Sequence, residues 1–167
     1  MSKEEYKWRV IYTKARQEKK VAACLTEKGI TNYLPTIKTL KQWSDRKKMV
    51  EEVLFKSYVF VNLSEREYYD ALTPPGAVKY VTIEGKAAIV PDRQMDIIIK
   101  TIEKNLEFDI SCEYLTKGKI INIKSGPLKG ATGEVISWSG KKKLLIRINE
   151  IGYSLVVHLS PADLITP

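Results

Sequence analysis

Along the chain the hydrophobic positions change their spacing several times, and each change marks an element. Trp8-Arg9-Val10-Ile11-Tyr12 is β-branched and aromatic and reads as a strand. Between Gln17 and Lys28, Val21, Ala22 and Leu25 sit at helical spacing, and Gly29 follows as a C-terminal stop. Ile30 to Leu34 is a short strand ended by Pro35. Thr36 to Val50 places Lys38, Lys41, Arg46, Lys47 and Lys48 around Trp43 and Asp45 with no clean period, as an exposed basic loop or a long hairpin tip would. Leu54 to Leu63 is the strongest strand pattern. Glu65 to Leu72 reads as a short helix capped by Ser64 and broken by Thr73-Pro74-Pro75-Gly76. Val78 to Ile83 is a further strand, and Glu84-Gly85 a turn. A helix capped by Asp92 comes next, with Met95, Ile98, Ile99 and Ile102 at i, i+3, i+4 and i+7 as one buried stripe.

The resulting order is β-α-β-β-α-β-α. Its first six elements match the split βαβ, or ferredoxin-like, arrangement: one antiparallel sheet with helices on one face. Residues 1–105 are therefore expected to form one domain, and the unperiodic stretch 106–114 a linker. Beyond it the pattern is all-β. Lys119 to Ile123, Ala131 to Ser137, Leu144 to Ile148 and Tyr153 to Leu159 are short strands, punctuated by Gly126-Pro127, Gly130, Ser139-Gly140, Gly152 and Ser160-Pro161. Strands so spaced predict a small barrel over residues 115–167, because closure removes exposed edges. The fold class expected is α+β.

Composition narrows the function. Hydrophobic residues make up 44% of 167, too many for a disordered chain. No apolar run approaches the ~18 residues of a membrane span. The charged N-terminus lacks an apolar stretch behind it, so a cytoplasmic monomer without a membrane partner is the expectation. The net charge of +8 favours a polyanionic partner, nucleic acid or an acidic membrane surface. Residues 1–105 carry 20 basic and 14 acidic side chains, residues 106–167 carry 8 and 6, so most of the excess lies in the first part. Cys24 and Cys112 form no Cys-x-x-Cys pair and are expected to be buried reduced thiols.

Catalytic motifs find little support. His158 stands in an apolar strand with no nucleophile motif beside it. Gly133 and Gly140-Lys141 are separated by six residues and no hydroxyl follows, so they do not make a phosphate loop. Acidic residues are scattered singly; no metal and no cofactor is expected. Two features remain. Tyr58 and Phe60 share one sheet face, with Val59 and Val61 on the other. Helices on one face would leave these aromatics, with Phe55, exposed on the other as a partner surface. Lys56 to Leu63 also agrees with the RRM strand motif at Lys56, Tyr58, Phe60 and Val61, but lacks its glycine, small residue and last aromatic. The second feature is Ile121 to Val135, where Gly126, Pro127, Leu128, Gly130 and Gly133 shape a tight turn between two hydrophobic strands.

That second segment resembles the KOW motif. Trp8 to Tyr12, Gln17 to Val21, Leu54 to Val61 and Pro75-Gly76-Ala77-Val78 resemble, in order, the N-terminal (NGN) domain of the NusG family. Ser44 to Lys48 and Val90 to Met95 resemble its UpxY-type branch, paralogs acting on capsule or exopolysaccharide operons. The resemblance implies an NGN domain over 1–105 and an SH3-like KOW barrel over 115–167. It implies a transcription elongation or antitermination factor, not an enzyme, whose Tyr12, Phe55, Tyr58 and Phe60 bind the clamp helices of the RNA polymerase β′ subunit. It implies that Lys14, Arg16 and Lys20 meet the non-template DNA strand of the transcription bubble. In the family, the KOW domain meets termination factor Rho or a small-subunit ribosomal protein through an aromatic-containing loop. The matching loop has Ile151 where the aromatic is usual, with Tyr153 two residues on, and this departure weakens that partner assignment. One relative refolds its KOW domain into helices; the β-branched runs Ile120–Ile123 and Leu144–Ile148 favour strands here. An RNA-binding module of RRM or ribosomal-protein type is the alternative reading.

Overall fold

The structure, a computed structural model, describes residues 3–160 apart from 114, 116 and 139. The expected turn residues Ser139 and Pro161 lie outside the described residues. Two compact units form, residues 1–90 and 91–167.

In the first unit, strand β1 (Lys7–Thr13) leads into helix α1 (Glu18–Glu27) and strand β2 (Thr31–Tyr33). Strands β3 (Thr36–Gln42) and β4 (Lys47–Val53) pair with each other alone, and β5 (Tyr58–Leu63) returns to the main sheet. Two 3-10 turns, Glu65–Glu67 and Asp70–Leu72, stand where one short helix is expected. Strand β6 (Ala77–Tyr80) and the small ribbon β7 (Thr82–Ile83) and β8 (Lys86–Ala87) complete the unit. The main sheet has the order β2-β5-β1-β6. Both β1 and β2 run antiparallel to β5, so they run parallel to each other, joined by α1. Val21 and Leu25 of α1 bury against Ile11, Val59, Val61 and Leu63, the inward side chains of alternating positions. Gly29 ends the helix with a φ of 76°.

Between the loop and hairpin readings of residues 36–50, the structure has a hairpin. Seven residue pairs join β3 to β4, and Lys41 pairs with Glu52 across it. Leu40 and Met49 face each other and are more than half exposed, so the ribbon contributes little to the core.

The second unit holds α2 (Asp92–Glu103) and a five-stranded antiparallel sheet of β9 (Phe108–Ser111), β10 (Lys119–Asn122), β11 (Thr132–Trp138), β12 (Lys141–Ile148) and β13 (Tyr153–His158), in the order β10-β11-β12-β13-β9. The division between units falls before α2, not within 106–114. Hydrogen bonds tie α2 to the rest of the second unit: Gln94 Nε2 donates to the Arg147 carbonyl at 2.9 Å, and Lys104 Nζ to the Pro127 carbonyl at 3.0 Å. The stretch read as a linker contains β9, whose four residues pair with Ser154 to Val157. Its sequence, Phe-Asp-Ile-Ser, is too short to establish a period, and pairing with a central strand supplies what local pattern does not. The buried face of α2 comprises Met95, Ile97, Ile98 and Thr101. Thr101 joins it because its hydroxyl donates to the Ile97 carbonyl at 2.7 Å.

Cys24 is half-buried and Cys112 exposed, and both are free thiols. The expectation of two buried cysteines is corrected: Cys24 lies beside, not on, the Val21 and Leu25 stripe, and Cys112 comes just after the last residue of β9. Among the described residues no helix is long and apolar enough to cross a membrane.

One carboxylate weakens the second unit. Glu150 Oε2 is buried without a hydrogen-bond partner, and burial raises its pKa above the usual carboxylate value. A raised carboxyl pKa means that the fold favours the protonated form. Its full favourable contribution is present below the unfolded value and is lost as pH rises through the folded one. Glu150→Gln is therefore expected to stabilise the chain by about 1 kcal/mol at pH 7. Thermal melts at pH 4 and pH 7 check this: the gain over wild type should shrink on acidification.

Candidate functional site

Tyr12 stands opposite Tyr58, and Val10 opposite Phe60, on neighbouring strands β1 and β5. The two-residue period puts these four on the sheet face turned away from Ile11, Val59 and Val61. This face is not open along its length. Val10, Phe55 and Phe60 have no exposed surface, whereas Tyr12 is 39% exposed and Tyr58 half-buried. The Tyr12 and Tyr58 rings lie 5.9 Å apart at 59°.

Four contact aromatics were expected, and two of them, Phe55 and Phe60, are core. The cause is local. Ser57 adopts a φ of 70°, which ends the strand at Tyr58 and turns residues 54–57 back on it. Phe55 then meets Phe60 edge to face with ring centroids 6.2 Å apart, and Tyr58 N–H donates to the Phe55 carbonyl at 3.3 Å. The result is one exposed tyrosine, Tyr12, and one half-buried tyrosine, Tyr58, on a floor of buried phenylalanines.

Lys14, Arg16 and Lys20 are all exposed, at or just after the β1–α1 connection. That connection is tightly held. Thr13 N–H donates to the Ser57 carbonyl at 2.8 Å, Lys14 N–H to the Gly76 carbonyl at 2.9 Å, and Ser57 N–H to Glu18 Oε1 at 2.9 Å. Gly76 has a φ of 100°, and a Cβ on it would lie 2.8 Å from the Gln17 Cβ, so only glycine lets these turns approach. Arg16 itself sits in the left-handed region at a φ of 64°. It borders a shallow cleft of about 300 Å³ with Glu18, Glu52, Lys56 and Ser57. Sequence reasoning gave Glu18 and Lys56 no place beside Arg16. Glu18 looked like any first-turn helix acid, and Lys56 like a strand position.

In the second unit the glycine-rich turn is a structural device. Gly130 N–H donates to the Ile123 carbonyl at 2.9 Å and Ile123 N–H to the Ala131 carbonyl at 2.8 Å, closing the loop around buried Leu128. Gly126 and Gly130 take φ values of 85° and 90° with Pro127 between them. At Gly133 the constraint is space: a Cβ would meet Leu144 Cδ1 at 2.7 Å. Ile151 is 8% exposed and Tyr153 half-buried, because Ile151 N–H turns back to the Ile148 carbonyl at 3.1 Å. The 149–152 turn therefore presents no free apolar side chain at Ile151.

The same unit holds two polar clusters. Arg147 donates from Nε to Glu134 Oε1 at 3.0 Å and from Nη2 to Oε2 at 3.2 Å, and Nη2 also reaches the Leu115 carbonyl at 2.5 Å. Gly118 N–H adds a bond to Glu134 Oε2 at 3.1 Å. The guanidinium, with this backbone donor, holds the Glu134 carboxyl below its usual pKa. His158, half-buried, lies between Glu107 Oε2 at 3.2 Å and Asp109 Oδ2 at 2.9 Å.

The family model described as "Transcription termination factor nusG" matches residues 6–99, more than half of the chain. The chain belongs to the NusG family, whose members are transcription factors and not enzymes. No curated protein matches it. Among solved structures, "Domain interaction in Thermotoga maritima NusG" is similar over 95% of this chain and 96% of its own, with 21% identity and a TM-score of 0.48. The MjSpt4:Spt5 complex in conformation A is similar over 92% and 88%, with 15% identity and a TM-score of 0.32.

Proposed function

We propose that this chain is a transcription elongation and antitermination factor that binds RNA polymerase through the tyrosine end of its first sheet. Residues 115–167, within its second unit, are read as the KOW domain. The observation that carries the reading is the Tyr12–Tyr58 pair, one ring exposed and the other half-buried, above the fully buried Phe55 and Phe60. Two aromatic anchors on a rigid floor bury much area at small entropy cost on binding, as interface hot spots do. The matching partner surface is the clamp-helix pair of the β′ subunit. Gripping it favours the closed clamp by differential affinity and so suppresses pausing. Reconstituted elongation tests this. The chain should raise the fraction of full-length transcript on a pause-rich template; unchanged pausing would contradict it.

Lys14, Arg16 and Lys20 extend the same end of the sheet toward the non-template strand. Lysines track phosphates, and Arg16 beside its cleft can also meet a base edge. Replacing all three by Gln should reduce the salt dependence of single-stranded DNA binding by about 2 in log–log slope. Shift assays at several salt concentrations check this, and an unchanged slope would remove these residues from the surface. The specialised, UpxY-like role on polysaccharide-type operons rests on the Ser44–Lys48 and Val90–Met95 resemblances. Placement of the gene at the head of such an operon would support it. The burial of Ile151 argues against Rho or ribosomal-protein contact through that side chain. The RRM-type alternative needs strand aromatics free to stack on bases, and Phe60 is fully buried.

A further inference from the structure

In the second unit, the turn from β11 to β12 and the ends of β9 and β13 border a cleft of about 720 Å³. Lys141, Lys142, Lys143, His158 and Glu107 are among its lining. Lys141 and Lys142 are exposed, as lysines at a hairpin turn ordinarily are. Lys143 is different. It is only 7% exposed, and its ammonium has no hydrogen-bond or ion-pair partner among the described residues. Its aliphatic stem is buried while its ammonium keeps contact with the open cleft, as long charged side chains do at a surface. Glu107 and Asp109 each meet a ring nitrogen of His158, which stands directly across from Lys143 in the strand register. Both carboxylates lie against the histidine ring, and Lys143 faces the open cleft.

We propose that this cleft binds phosphate groups of a single-stranded nucleic acid, with Lys143 as the recessed anchor and Lys141 and Lys142 as flanking contacts. A duplex is stiff over many base pairs and bends less readily than a single strand to seat a phosphate on a recessed lysine. A single strand can deliver one phosphate to Lys143 and its neighbours to the rim. The lysines contact charge and not base edges, so binding is indifferent to sequence. The cleft belongs to the second unit, and the tyrosine pair to the first.

The test uses the full chain carrying Lys14→Gln, Arg16→Gln and Lys20→Gln, so that the first unit's basic connection does not mask the result. A labelled twelve-nucleotide uridine RNA, its DNA counterpart, the matching duplex and inorganic phosphate are the probes. Lys143→Met, which keeps the buried stem, should weaken single-strand binding about ten-fold and lower the salt slope by about 1. Lys143→Arg should restore most of the affinity. Lys117→Gln, an equal charge loss at an exposed position in the same unit, should change it less than two-fold. Equal losses from Lys143→Met and Lys117→Gln would overturn the proposal, as would duplex binding as tight as single-strand binding. Binding of inorganic phosphate without any of the oligonucleotides would also overturn it. RNA and DNA bound alike would assign the contact to phosphate alone; a preference for RNA would add a 2′-hydroxyl contact to the same site.

Discussion

Phe60→Ala is expected to cost the first unit about 3–5 kcal/mol, the loss typical of a large aromatic removed from a packed core. Phe60 has no exposed surface and packs edge to face with Phe55, so its deletion opens a cavity and strands a second ring. Tyr58→Ala, two residues away on the same face, removes a side chain that is only half-buried and should cost about 1 kcal/mol. Urea unfolding of the two variants measures the difference. It also decides how the polymerase contact can be probed. A Phe60 variant that fails to bind polymerase would report an unfolded sheet, whereas Tyr12 and Tyr58 can be changed with the fold intact.

The second large effect is expected at Glu134. Its side chain and that of Arg147 are 20% and 17% exposed, and the pair joins β11 to β12 while bonding the backbone at Leu115 and Gly118. Glu134→Ala leaves a mostly buried guanidinium without its carboxylate and should cost about 2–3 kcal/mol. The depressed carboxyl pKa fixes the sign of the pH dependence. The stabilisation is present above the ordinary carboxylate range and is lost as pH falls through the lower, folded value. The melting-temperature gap between wild type and Glu134→Ala should thus be widest near neutrality and narrow on acidification. The Glu150→Gln gap narrows in acid as well, but there the variant is the more stable protein.

Much of this was legible in the sequence where local pattern and tertiary packing agree. Val21 and Leu25 at helical spacing, the alternation of Val59, Val61 and Leu63, and the β12 and β13 runs all formed the elements their periods predict. What local pattern does not carry was missed. Strand β9 exists because β13 has an edge to pair with. Phe55 was placed in a strand because nothing in Leu-Phe-Lys-Ser announces that Ser57 will take a left-handed conformation. Without that turn, the parity of Tyr58 and Phe60 implied equal exposure; with it, one is surface and the other floor. The split of the four aromatics into two pairs follows from a single backbone angle. Lys14, Arg16 and Lys20 were picked out by the family resemblance, and their exposure is ordinary for charged residues, whereas the Glu18–Ser57 bond that steadies their loop joins residues 39 apart.

The central claim is that a NusG-family chain meets RNA polymerase through Tyr12 and Tyr58. Equilibrium binding of core polymerase to the wild-type chain and to Tyr12→Ala with Tyr58→Ala tests it most directly, with circular dichroism confirming both are folded. Two hot-spot aromatics lost together should weaken binding at least about a hundred-fold. A folded double variant that binds core polymerase as tightly as wild type would contradict the account.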